Sequence, residues 1–119
     1  AYYSLFLQGI RTVDGVSVLD TEFIVPFKAK AYLDLKARRE AGENVDSRKV
    51  KKHKRDALRL AQLLGESAGV NLVEELKDDM LAFVKDCEAN DINLKQIGVA
   101  GVTMIQLLET MKATYGLIG

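Results

Sequence analysis

The stretch Phe23-Ile-Val-Pro-Phe-Lys-Ala-Lys-Ala-Tyr-Leu-Asp-Leu-Lys-Ala-Arg-Arg-Glu-Ala-Gly42, continued by Val45-Asp-Ser-Arg-Lys-Val-Lys-Lys-His-Lys-Arg-Asp-Ala-Leu-Arg-Leu-Ala-Gln-Leu-Leu-Gly65, reads as two basic helices joined in a hairpin. Pro26, the only proline, suits the first position of a helix, because its φ is preset and its missing N–H is not needed there. The first helix is expected to run from Pro26 to about Ala41, where Gly42 supplies a left-handed residue that ends helices. Asp46 or Ser47 can accept the free N–H groups of a second first turn, and no breaker follows before Gly65.

Charge is concentrated in this hairpin. From Lys28 to Arg59 there are 12 Lys or Arg against 5 Asp or Glu, a balance of +7, and the remaining 5 basic and 12 acidic residues give −7. The zero net charge therefore hides a dipole whose basic pole attracts polyanions such as nucleotide phosphates or nucleic acid. The alternative is a solvated face, since Lys and Arg are good helix formers.

Outward from the hairpin, Tyr2 to Val13 is rich in β-branched and aromatic residues, and Asp14-Gly15 is a type I′ turn signal. A β-hairpin of Tyr3 to Arg11 with Val16 to Leu19 is expected, with a short third segment at Glu22 to Val25. Phe27, Ala31 and Leu35 form an apolar stripe on the first helix, and Val50, Ala57, Leu60, Ala61 and Leu64 form one on the second. Glu66 to Val70 reads as a loop, and Asn71 caps a third helix from Leu72 to about Glu88, with Met80 and Phe83 in its core face. A short helix at Leu94 to Ile97 and a last one from Thr103 to Tyr115, ended by Gly116, complete the chain. The fold class that follows is α+β, mostly α. One domain is expected, with a β-hairpin in residues 1–25, itself part of a larger sheet or packed on the helices, and a bundle of four to five helices in residues 26–119.

The run Phe27-Lys28-Ala29-Lys30-Ala31 with Asp34 a turn later, then Lys52-His53-Lys54-Arg55-Asp56 leading into Leu58, Leu60, Leu63 and Leu64, resembles the downstream half of AbiEii/AbiGii-type nucleotidyltransferases. These are toxin partners of bacterial abortive-infection toxin–antitoxin systems and their relatives. The resemblance covers about Ile24 to Leu64 and implies that Lys28 and Asp56 match the family's lysine and aspartate downstream of a polymerase-β-like core. Arg59 stands where the family has a second aspartate, and Leu35 where it has an arginine. By this resemblance Lys28 neutralises triphosphate oxygens and Asp56 orients Lys28 or the acceptor, while Lys30, Arg38, Lys52, His53 and Lys54 are further candidates to bind phosphate or guide an RNA. An antitoxin protein is a further implied partner.

The family's core needs a Gly-Ser or Gly-Gly turn and an Asp-x-Asp pair to hold metal ions, and the 119 residues contain none of these. The chain also opens at Ala1, directly in strand-like sequence, and so reads as the C-terminal portion of a longer protein whose missing N-terminal region is its first partner. Mg²⁺ is expected only with that region, and the chain alone is not expected to be catalytically competent. A non-enzymatic module that binds nucleic acid or a partner protein remains the alternative. No run approaches the roughly 18 apolar residues of a membrane span, so a cytoplasmic protein is expected. Cys87 and His53, 34 positions apart, match no metal spacing, and Cys87 reads as a buried structural thiol. In an antiparallel hairpin Lys28 and Asp56 should lie close together. They would then either open on one cleft with Lys30, Lys52 or His53, or be sealed by local ion pairs, Asp56 with Lys52 or Arg59.

Overall fold

The Asp14-Gly15 turn is a type I′ turn, with φ of 51° and 78° at the two residues. It joins β1 (Ile10–Val13) to β2 (Val16–Leu19) in an antiparallel pair with Val13 opposite Val16. The computed structural model describes residues 2–64, 69–90 and 92–117. Besides the two strands it contains α1 (Tyr2–Gly9), α2 (Thr21–Glu40), α3 (Ser47–Ala61), α4 (Glu74–Ala89), a 3₁₀ turn (Leu94–Ile97) and α5 (Met104–Tyr115). The fold is α+β and mostly α, as expected.

The N-terminal boundary differs from expectation. Tyr2 to Gly9 is helical, so the first strand begins only at Ile10. Local β-propensity yields here to packing: Leu5 is buried, the Tyr2 ring lies 5.6 Å from that of Phe27, and a Cβ on Gly9 would stand 2.2 Å from the Phe23 ring. Gly9 is thus needed for the close approach of α1 to α2.

Nor does α2 start at Pro26. It starts at Thr21, which also removes the third strand segment expected at Glu22 to Val25. Pro26 sits in the second turn, where its missing N–H leaves the Glu22 carbonyl without its helical donor. The Tyr115 hydroxyl donates to that carbonyl at 2.7 Å. An α5 side chain therefore restores what the proline removes. Asp20 occupies the N-cap position but makes no side-chain cap bond; its carboxylate instead accepts from Arg11 Nε at 3.0 Å and Nη2 at 2.8 Å, tying hairpin to helix.

At the far end Gly42 takes φ 93°, and Gly42 and Glu43 N–H groups donate to the Arg39 and Arg38 carbonyls, a Schellman closure. Asp46 caps α3 by accepting from Arg48 N–H at 2.9 Å. The expected stop of this helix at Gly65, and part of the expected loop, lie outside the described residues. Asn71 does not cap α4, because Leu72 is drawn into the core and the helix begins at Glu74 with Val73, in extended backbone, at its cap. Thr103 and Gln106 form a reciprocal capping box on α5, and Gly116 ends it at φ 62°.

α2 packs most extensively on α3, antiparallel, and next on α4. The buried stripe of α2 is Val25, Ala29 and Tyr32, which corrects the expected Phe27, Ala31 and Leu35 by about a third of a turn. α2 is wedged between α3 and α4, and small Ala29 lets it approach closely while Phe27 and Leu35 stay part-exposed. On α3, Val50, Ala57 and Ala61 are buried as expected, with Leu58 joining them and Leu60 only partly covered. Met80, Phe83 and Cys87 on α4 are in the core.

Candidate phosphate-binding groove

Lys28 and Asp56 meet across the α2–α3 seam, Nζ to Oδ2 at 3.4 Å. Antiparallel helices broken at Gly42 bring them level, as the spacing predicts. Arg59, one turn on, also reaches Asp56 at 3.7 Å. The His53 imidazole lies beside this pair. Its buried Nδ1 has no hydrogen-bond partner among the described residues, and burial, with the Lys28 charge second, holds its pKa below the ordinary 6.5. The pair is thus both half-open and locally sealed, with side-chain exposures of 34 % for Lys28 and 20 % for Asp56.

The other candidates are scattered. Lys30, two residues from Lys28, points elsewhere and pairs with Asp34 at 3.2 Å and Asp79 at 3.7 Å, over the Tyr2 ring. Arg38 closes the hairpin end by donating to Glu43 at 3.3 Å. Lys52 is exposed on the outer face of α3.

Sequence reading missed the most enclosed charge cluster. Asp86 on α4 is buried and accepts four side-chain donors: the Tyr32 hydroxyl at 2.5 Å, Lys36 Nζ, Lys54 Nζ at 3.1 Å and Asn90 Nδ2 at 3.3 Å. Burial alone would raise its pKa, but the bonds from Lys36, Tyr32 and Lys54 outweigh burial and hold it at about 2. Lys54, itself buried, also donates to the Asn90 carbonyl at 3.0 Å and stands 5.5 Å from the Tyr32 ring centre. Lys54 was expected to guide RNA from the surface; the structure turns it inward. The signal was present in the periodicity. Lys54 falls between Val50 and Ala57 on a core stripe, Asp86 between Phe83 and Cys87 on another, and Lys36 continues Ala29 and Tyr32.

The donors of this cluster, Tyr32, Lys36, Lys54 and Asn90, line a surface groove. One lobe, about 430 Å³, is bordered by Lys36, Arg39, Glu40, Lys51 and Asn90; a second, about 320 Å³, by Arg55, Ile92, Asn93, Gln96 and Ile97. Lys51, Lys54 and Ile92 border both lobes. Arg59 Nε donates to the Ile97 carbonyl and anchors the 3₁₀ wall to α3. Among the described residues Arg39, Lys51 and Arg55 make no ion pair, whereas Glu40 of the lining faces Lys36, and Asp86 beneath it faces Lys36 and Lys54. Among the described residues the lining carries Lys36, Arg39, Lys51, Lys54 and Arg55 against one carboxylate, Glu40, and so can take oxyanions.

Among the described residues no group of three His, Cys, Asp or Glu side chains could hold a metal ion, and no helix is long and apolar enough to cross a membrane. The chain matches no protein-family model, and neither curated proteins nor solved structures gave a significant match.

Proposed function

We propose that this chain binds the phosphates of RNA or a nucleoside triphosphate along the α2–α3 hairpin, as the substrate-side region of a nucleotidyltransferase-like protein. The observation that carries the reading is the convergence of Arg39, Lys51 and Arg55, without ion-pair partners among the described residues, on one groove floored by Lys36 and Lys54. Cations so placed contact phosphate oxygens without first breaking an internal bond. Lys28, held by Asp56, supplies a further contact along the same seam, the role implied by its resemblance to the family's lysine. Positioning and charge stabilisation are what nucleotidyl transfer asks of such a region.

The test is fluorescence anisotropy of a labelled oligouridylate across a salt series, with inorganic triphosphate as competitor. Wild type should bind with a strong salt dependence. The Lys51→Glu, Arg55→Glu double variant should bind at least about tenfold more weakly, with a log–log salt slope flatter by roughly 1.4, two contacts at about 0.7 each. Unchanged affinity in that variant would sink the assignment. Binding of polyglutamate with the same slope, without competition by triphosphate, would instead assign the groove to an acidic protein.

A further inference from the structure

We infer that Asp86 is a positioning residue for the phosphate groove: it fixes the ammonium groups of Lys36 and Lys54 at the groove floor so that their remaining N–H donors face an incoming oxyanion. The inference rests on the phosphate-binding reading above and adds to it a residue that does not touch the ligand.

Three helices meet at this carboxylate. α2 sends Tyr32 and Lys36, α3 sends Lys54, and the C-terminal end of α4 supplies Asp86 with Asn90 just beyond it. Oδ1 accepts from Lys36 and Asn90, and Oδ2 from Tyr32 and Lys54, so both oxygens are engaged. Side-chain exposure is 6 % for Asp86 and 8 % for Lys54, against 28 % for Lys36. A lysine has three N–H donors. Lys54 gives one to Asp86 and one to the Asn90 carbonyl, and it borders both lobes of the groove. Lys36 also lies 4.0 Å from Glu40, so the groove's net positive charge comes from Arg39, Lys51 and Arg55, while Asp86 holds the two ammonium groups by directed bonds rather than leaving them on flexible stems. An anion there meets donors already desolvated and oriented, which lowers the ordering cost of binding.

A cross-link of helices is the competing role. A buried ion pair is poor evidence of stabilisation, because apolar side chains of similar volume often hold helices together as well. The two roles differ in sign. Asp86→Asn removes a negative charge next to the groove, so long-range attraction alone makes oligouridylate bind more tightly. If Asp86 positions the lysines, the same variant binds about tenfold more weakly, the order of one lost charge-assisted contact, and its salt slope flattens by roughly 0.7.

The experiment measures oligouridylate binding and salt slope for wild type, Asp86→Asn and Tyr32→Phe, each checked for native helicity by circular dichroism. Tyr32→Phe removes only the hydroxyl that Asp86 accepts and leaves every charge in place, so it decides the matter if Asp86→Asn does not fold; it should bind severalfold more weakly. A folded variant of either kind that binds as tightly as wild type, with an unaltered salt slope, overturns the inference. If wild type itself shows no salt-dependent binding, the phosphate-binding reading fails and the inference falls with it. Tight wild-type binding lost in Lys51→Glu, Arg55→Glu but kept in both Asp86→Asn and Tyr32→Phe removes the positioning role alone.

Discussion

At the scale of single residues, the buried charges set the chain's response to pH and to mutation. Lys54→Met keeps the stem and deletes the ammonium group. Asp86 then retains Lys36 and Tyr32, so destabilisation should sit near the low end for a broken buried pair, about 3 kcal/mol by denaturant unfolding. Acid acts on the same carboxylate. Its pKa is lowered from 3.8 to about 2 on folding, so its contribution, roughly 2 kcal/mol, is present above pH 3.8 and is lost as pH falls towards 2. His53 acts in a higher window. Its folded pKa is depressed by burial and by Lys28, so the unfolded chain takes up the proton first, and stability falls as pH drops below about 6.5. His53→Gln should therefore narrow the fall in thermal midpoint between about pH 7 and about pH 5. Parallel profiles for the variant and wild type would show that His53 does not carry it.

At the scale of elements, the unusual join is between α2 and α5. Tyr115 buries its ring and gives its hydroxyl to the carbonyl that Pro26 leaves without an N–H donor. Tyr115→Phe should cost about 1–3 kcal/mol, the penalty of an unsatisfied buried acceptor. In a Pro26→Ala background the restored N–H can bond Glu22, and the cost of losing the hydroxyl should shrink to well under 1 kcal/mol. Additive effects in that double-mutant cycle would contradict the account. At the same end of α2, Gly9→Ala should destabilise the chain, because its Cβ would overlap the Phe23 ring and α1 would have to move away.

At the scale of the whole molecule, the proposed phosphate binding rests on how folding sorts the charges. The basic pole of the sequence splits on folding. Lys28, Lys30, Lys36 and Lys54 are tied to carboxylates, while Arg39, Lys51 and Arg55 stay without ion pairs among the described residues around one groove. Since no Asp-x-Asp pair occurs in the 119 residues, the chain incubated with labelled nucleoside triphosphates, Mg²⁺ and bulk RNA should transfer no label above a blank. Metal-dependent labelling that disappears on mutating one of its own carboxylates would refute that expectation.

What the sequence by itself determined is what local chemistry controls. Asp14-Gly15 could only turn with positive φ, Gly42 could close a helix where a Cβ would strain it, and Asp46 and Thr103 had side-chain oxygens for the first turns after them. The approach of Lys28 to Asp56 was legible too, since it follows from helix rise and the position of the break. What only tertiary structure decided is every feature whose partner lies far along the chain. Residues 2–9 have strand-like composition but form a helix because Phe27 and Phe23 wait for them on α2, and α2 runs through Pro26 because Tyr115, 93 positions from Glu22, covers the bare Glu22 carbonyl. Lys54 is expected at the surface and Asp86 does not stand out, since a single helix cannot show that an opposite charge awaits on another. Burying either alone costs several kcal/mol, and only the meeting of α2, α3 and α4 makes the two tolerable together.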